Sequence, residues 1–430
     1  METIAHAPTD RPPQAFAARV AGLVRNETAL VRIGLGAVAL HIVDDNFLQP
    51  EPGTSAGDHL VSGLVPIAVF AVAAAAYPRL RAGIRAATAM TLGAVGIVFG
   101  APGAYYLLDG NASGDHYTGP LAILGGAVLL VIGPVTLWKA RSSEGSRRRR
   151  YLRRSLMLAA VPAVAYFLVF PIGFSYVYTH TGPTASTPDL GVPYESVTVT
   201  TSDSLKLTAW YVPSMNRAAV IVFPGPARAK EARMLIRDGY GVLLLEPRGQ
   251  GSSEGDNVRW AGDRDLLGGV AYLQSRSDVD PSRIGGFGFS VGGEILLEAA
   301  AQSTGLKAVV SEGAGFRAGE ADTSGVKRLL VGPVLTVMTA ATTVFSNHRP
   351  PRPIVDRIGR IAPRSVFLIY AEPGMGGENA RQPKYYAAAG EPKAIWKVPG
   401  AKHTGGIDAR PAEYEQRVIA FFDRALLQGA

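Results

Sequence analysis

The 430-residue chain has no cysteine, which excludes disulfides, thiolate metal ligands and a thiol nucleophile together. Charge is sparse as well. Only 18% of residues are charged while 47% are hydrophobic, and the apolar excess is confined to roughly the first 180 residues. The net charge of +8 is not a nucleic-acid signal. Its densest run, Arg147-Arg148-Arg149-Arg150 with Arg153 and Arg154, abuts an apolar segment, so a juxtamembrane anchor is the better reading and no nucleic-acid partner is expected. A small-residue cleavage site is also missing after the first apolar segment, which argues against a removable signal peptide.

Apolar runs at 28–43, 60–77, 86–108, 118–138 and 155–178 predict five membrane helices, most near the ~20 residues a bilayer core requires. Loop charge orients them. Arg79, Arg81 and Arg85 follow the second run and the arginine cluster follows the fourth, while the other two loops carry acids without Lys or Arg. Positive loops stay inside, so residues 1–27 are expected in the cytoplasm, 28–180 in the cell membrane, and everything beyond outside the cytoplasm. The outward loops bring His41, Asp44 and Asp45 onto one helix face, with Asp58, His59, Asp109, Asp115 and His116 nearby. These residue types suit a divalent ion, but they form no closed ligand motif. They read as solvated loop residues, and no metal is expected.

Residues 181–192, opened by Thr181-Gly182-Pro183, read as a linker, and residues 193–430 as a separate domain with the charge density of a soluble α/β fold. Strands are expected near 196–200 and 205–211 as an antiparallel opening pair. Continuous apolar strands follow near 219–223, 242–245, 284–287, 308–310 and 366–370, of the kind buried on both faces of a parallel sheet. Helices at 229–238 and 264–274 separate them, so the pattern is a mostly parallel, doubly wound sheet. The most informative stretch is Gly288-Phe289-Ser290-Val291-Gly292. It places a serine between glycines where a strand gives way to the helical spacing of 294–300, the setting of a strained nucleophile elbow.

Three motifs in the expected order carry a resemblance over residues 192–427: Gly288-Phe289-Ser290-Val291-Gly292-Gly293, Glu246-Pro247-Arg248-Gly249-Gln250-Gly251-Ser252-Ser253, and Pro399-Gly400-Ala401-Lys402-His403-Thr404-Gly405-Gly406. The domain resembles the α/β-hydrolases, particularly their serine-aminopeptidase-like and dienelactone-hydrolase-like branches. The resemblance implies Ser290 as nucleophile and His403 as its base, without a cofactor; His348, in a Pro-rich stretch, is the weaker choice. The acid should follow the strand ending at Tyr370, where no aspartate stands and Glu372 and Glu378 compete. Glu378 is preferred because a loop carboxylate turns toward an imidazole more easily than one immediately before a proline. One oxyanion donor is expected at the Val291 N–H. The second aligns with Pro226 of Phe223-Pro224-Gly225-Pro226, which has no N–H, so either Gly225 or Ala227 substitutes or the hole is weakened.

A cap is expected at about 313–362. Its apolar stretch 329–345, broken at Gly332-Pro333, reads as lid helices in preference to a sixth span. The chain therefore reads as a membrane-anchored serine hydrolase for a small-molecule or lipid-like acyl ester, thioester or amide, with esterase action ahead of peptidase action. The alternative is a non-catalytic membrane scaffold or sensor on the same fold.

Overall fold

The computed structural model describes residues 26–50, 55–57, 59–110, 114–139, 148, 152, 155–156, 159–160, 163–181, 187–257, 260–315, 325–372 and 377–428. Most of the arginine cluster, Asp58, the side chain of Asp109, the start of the linker, parts of the fifth run, residues 316–324 of the cap and residues 373–376 lie outside these. The chain forms two units, one of Met1–Pro50 with His59–Val177 and the other of Glu51–Asp58 with Tyr178–Ala430.

In the first unit, glycine sets how closely helices approach. The unit contains α1 (Glu27–Val43), α2 (Leu60–Ala76), α3 (Ala82–Asp109) and α4 (Gly119–Lys139), and α5 (Phe170–His180) leads out of it. Along α3, Gly93, Gly96, Gly100 and Gly103 recur at helical spacing and meet Gly119 and Gly126 of α4. A Cβ at Gly100 would lie 2.2 Å from the Gly119 carbonyl oxygen, and one at Gly126 would lie 2.5 Å from that of Gly93. Backbones this close gain van der Waals contact without any difference in apolarity between helix and surroundings, the packing that works inside lipid.

Helices long and apolar enough to cross a membrane cover Leu60–Arg79, Ala82–Leu108 and Gly114–Leu137, and a fourth covers Arg328–Ser346 in the second unit. Helix α1 has 17 residues, about 26 Å, shorter than that length, although Asp44–Leu48 continue it as a π-turn.

The polar residues expected in outward loops differ from expectation. His41, Asp44 and His59 are buried rather than solvated. Thr118 Oγ1 lies 2.9 Å from His41 Nδ1 and donates to Asp44 Oδ2 at 2.8 Å, while Ser62 Oγ donates to Asn46 Oδ1 at 2.6 Å. Polar groups removed from water at a helix end need partners, and the neighbouring helix supplies them. Among the described residues, no group of three or more His, Asp or Glu side chains is placed to hold a metal ion.

The second unit is built on an eight-stranded sheet: β1 (Glu195–Thr200), β2 (Lys206–Val212), β3 (Ala219–Phe223), β4 (Gly241–Leu245), β5 (Ile284–Phe289), β6 (Ala308–Glu312), β7 (Ser365–Ala371) and β8 (Lys393–Val398). The spatial order is β1-β2-β4-β3-β5-β6-β7-β8, with β1, β2 and β4 paired antiparallel and every later pairing parallel. Strands β3 to β6 are buried along their whole length, because side chains alternate between two cores. Ala219, Ile221 and Phe223 face the core covered by α7 (Asp263–Gln274) and α8 (Val291–Gln302). Val220 and Val222 face the core covered by α6 (Ala229–Arg237) and, later in the chain, by residues 411–422. Helices on both faces make this a doubly wound α/β architecture.

The cap contains one continuous helix, α9 (Val326–Ser346), with Pro333 inside it. The expected break at Gly332-Pro333 is absent. One lost backbone hydrogen bond does not outweigh the uninterrupted apolar spacing on either side.

Candidate active site

Ser290 sits between β5 and α8 with φ 52° and ψ −124°, a conformation that a non-glycine residue adopts only when its surroundings hold it there. The surroundings are backbone. A Cβ at Gly288 would lie 2.6 Å from the Gly292 carbonyl oxygen, and one at Gly292 would lie 2.6 Å from that of Phe223, so neither position accepts a side chain. The Ser290 N–H donates to the Glu312 carbonyl at 2.8 Å, and the Ser290 carbonyl accepts from Gly293 and Glu294 as α8 begins.

Residues far apart in sequence meet this serine. His403 Nε2 lies 2.9 Å from Ser290 Oγ, and His403 Nδ1 lies 3.3 Å from Glu378 Oε1. Glu378 is fully buried and is the first residue of α10 (Glu378–Ala388), where the helix dipole favours a carboxylate. Glu372 goes elsewhere: it is exposed and pairs with Lys397 at 3.1 Å, whose hydrogen bond and charge hold its carboxyl below the ordinary range. His348 is also remote, its Nδ1 lying 2.6 Å from the Ser346 carbonyl.

Gly313 packs against His403, its neighbour Thr404 and Glu378. Its φ is +72°, and a Cβ there would lie 2.8 Å from Thr404 Cγ2, 3.0 Å from His403 Cε1 and 3.2 Å from Glu378 Oε2.

The oxyanion candidates separate on their hydrogen bonds. Val291 is the first residue of α8, and a first-turn N–H has no acceptor one turn back. The Gly225 N–H donates to the Leu245 carbonyl at 2.8 Å, so it is engaged in extending the β3–β4 edge and does not serve as a donor. Ala227 lies inside the 3-10 turn Pro226–Arg228, again in a first-turn position. From the same turn Arg228 donates to Thr404 Oγ1 at 3.0 Å and to the Thr404 carbonyl at 3.3 Å, with its guanidinium 4.2 Å over the Phe289 ring. This ties the turn to the His403 loop.

Sequence reasoning missed Glu312, which ends β6. It is 2% exposed, accepts from the Gly406 N–H at 2.9 Å and from the Tyr414 hydroxyl, and burial pushes its carboxyl up to about 7. Gly406 begins the short α11 (Gly406–Ala409) and Tyr414 lies in α12 (Pro411–Phe422), so Glu312 fastens the segment just after His403 to the sheet. The available signal was an acid closing an otherwise apolar strand. The Glu246–Ser253 motif is scaffolding: Arg248 Nε donates to the fully buried Asp265 at 2.7 Å and Nη1 to Asp203 at 2.9 Å.

The chain is similar to known proteins over this unit. The family model of the X-Pro dipeptidyl-peptidases (S15 family) matches residues 179–406, just over half of the chain. An uncharacterized protein of Mycobacterium tuberculosis is 33% identical over 129 residues, 28% of this chain and 46% of that protein. The alpha/beta hydrolase domain-containing protein WAV2 of Arabidopsis thaliana is 30% identical over 148 residues, 31% of this chain and 48% of that protein. The chain thus spans about half the length of these two curated relatives. The uncharacterized protein YfhR of Escherichia coli is 24% identical over 253 residues, 54% of this chain and 81% of that protein. Among solved structures, an esterase of Pyrococcus furiosus is 20% identical with a TM-score of 0.45, covering 57% of this chain and 100% of its own.

Proposed function

This chain belongs to the X-Pro dipeptidyl-peptidase (S15) family of α/β-hydrolases and is a serine hydrolase, and from that premise we propose that Ser290, His403 and Glu378 form its catalytic triad. The carrying observation is the continuous chain of contacts, 2.9 Å from serine to imidazole and 3.3 Å from imidazole to carboxylate. In the proposed reaction Ser290 Oγ attacks an acyl carbonyl as His403 Nε2 takes the hydroxyl proton, and Glu378 holds the Nδ1–H and stabilises the imidazolium. The tetrahedral oxyanion is received by the N–H groups of Val291 and Ala227. Collapse expels the leaving group, which takes the proton from His403, and water activated by the same imidazole releases the acyl group. No step calls for a cofactor.

The substrate is an ester, thioester or amide with a lipid-like acyl part, supported by the apolar helices of the chain. We place residues 1–27 in the cytoplasm, five helices of 28–180 in the membrane, a linker at 181–192 and the hydrolase domain 193–430 outside, on the strength of loop charge.

A fluorophosphonate probe applied to the purified full chain tests the chemistry. Labelling that disappears in Ser290→Ala is expected; unlabelled, folded wild-type protein would favour the non-catalytic scaffold, whose support is the engaged Gly225 N–H beside a proline. A periplasm-dependent reporter fused after residue 430 tests the orientation, and activity of a cytoplasm-dependent reporter alone would reverse it.

A further inference from the structure

Helix α9 qualifies by length and composition as a membrane span, with mean hydropathy 1.7 over Arg328–Ser346, yet it lies inside the hydrolase unit and only 22% of that window is buried. Leu329 and Leu330 are 72% and 50% exposed, and Pro333, Thr336 and Ala340 continue the outward face, while Val334, Ala341 and Phe345 turn inward. The helix has little need of water. Thr336, Thr343 and Ser346 donate to the carbonyls of Gly332, Thr339 and Thr342 at 3.0, 2.7 and 2.6 Å, so these hydroxyls are satisfied by the turn before them.

Sheet topology forbids a crossing. Strands β6 and β7 are adjacent and parallel, and α9 lies in the connection between them. A helix that crossed a bilayer there would need a second crossing to return to the same sheet. Among the described residues between β6 and β7, no other helix is long and apolar enough. Both ends of α9 therefore stay on one side.

Charge identifies what covers the outward face. Residues 326–352 contain no Asp or Glu, while Lys327 and Arg328 stand at one end of α9 and Arg349 and Arg352 just beyond the other. Arg349 and Arg352 line a cavity of about 320 Å³ in which Arg248, Arg264 and Arg357 outnumber the acids Asp263 and Glu298. A second copy of this chain would bring the same positive rim against itself. Anionic headgroups complement it, and the acyl boundary beneath them accepts the leucines. Phe345, at the end of α9, packs edge-on against His180 with ring centroids 6.3 Å apart, next to the point where the chain enters this unit.

We propose that α9 lies in the plane of an anionic phospholipid bilayer surface, docked through its outward apolar face and its basic ends. This rests on the membrane-anchored reading above and is independent of the roles given to Ser290 and His403. Docking would hold the hydrolase unit against the source of a lipid-like acyl substrate.

The cysteine-free chain is a ready background for the test. Leu329→Cys, Leu330→Cys and Ala340→Cys, each carrying a nitroxide, are compared with Ser282→Cys, an exposed turn position, in the full chain reconstituted in phosphatidylcholine vesicles with and without phosphatidylglycerol. Accessibility to oxygen and to a nickel chelate reports depth. The three α9 labels are expected about 5–10 Å below the phosphates in anionic vesicles, with the Ser282 label in water. Arg349→Gln with Arg352→Gln should lower the docked-to-undocked ratio about tenfold or more, at roughly 1 kcal/mol per basic residue.

Three outcomes would overturn the proposal: labels as water-accessible in vesicles as in detergent, labels placed on opposite sides of the bilayer, or protection that follows protein concentration instead of lipid charge. Probe labelling of Ser290 without insertion of α9 defeats this inference alone. Insertion without Ser290 labelling defeats the triad alone.

Discussion

Replacing Gly313 by alanine should damage catalysis far more than folding, and the structure gives the size of both effects. At φ +72° an alanine incurs left-handed strain of about 1–2 kcal/mol. Its Cβ would also stand 2.8 Å from Thr404 Cγ2 and 3.0 Å from His403 Cε1, inside ordinary contact distance, so the imidazole loop must retreat by roughly half an ångström. Displacement on the order of 1 Å at a reacting group costs about 10²-fold, so this smaller shift should lower turnover about 10- to 100-fold. The paired control is Gly239→Ala. Gly239 has φ +81° but only ordinary contacts, the nearest being Met215 Cβ at 3.6 Å, so it carries the strain without the collision. Thermal melts of the detergent-solubilised chain should fall by similar amounts in both variants, while ester turnover falls only in Gly313→Ala. Equal turnover in the two variants would refute the reasoning, because the glycine would then serve conformation alone.

Glu378→Gln should reduce turnover by orders of magnitude, whereas Glu372→Gln should change it less than twofold, since Glu372 contacts exposed Lys397 and not the imidazole; the reverse ranking in steady-state assays would exchange the two glutamates. For Glu312, burial favours the protonated carboxyl, so its contribution to stability is complete below the ordinary value of 4.5 and is lost as pH rises through about 7. Melting temperature measured from pH 5 to 8 should therefore fall with pH more steeply in the native chain than in Glu312→Gln, and parallel curves would show that the carboxyl is already ionised throughout. Asp265→Asn leaves the buried Arg248 guanidinium without its fully buried counter-charge and should cost about 3 kcal/mol or more by denaturant titration. A loss under 1 kcal/mol would mean that Asp203 alone suffices.

Much of the second unit was legible because its physics is local. Uniformly apolar runs such as 219–223 and 242–245 have few alternatives to burial on both faces of a parallel sheet, and the glycines around Ser290 declare a backbone with no room for side chains. The first unit was legible only in part. Hydropathy locates helices, but it does not reveal that His41, Asp44 and Thr118 satisfy one another across helices, since the partners lie 77 and 74 residues apart. The cap was misread for a related reason: Pro333 is a strong local signal, and the continuous helix around it is set by the longer apolar pattern.

Glu312 and Arg228 escaped notice because their importance lies in what they touch. Both act on the loop that carries His403: Glu312 fastens its far side through the Gly406 N–H and Tyr414, and Arg228 fastens its near side through Thr404. The loop is therefore held from the sheet and from the turn Pro226–Arg228, the segment expected to supply the second oxyanion donor. That arrangement gives the unusual Pro226 a physical context. A proline removes the aligned N–H, but in the same turn Ala227 keeps a first-turn N–H and Arg228 anchors the backbone that carries it. Preorganisation matters more to charge stabilisation than which residue number supplies the donor. The hydrogen-bonded tie between Arg228 and Thr404 thus couples the position of the proposed base to that of the proposed oxyanion turn, so a change in either should be felt at both.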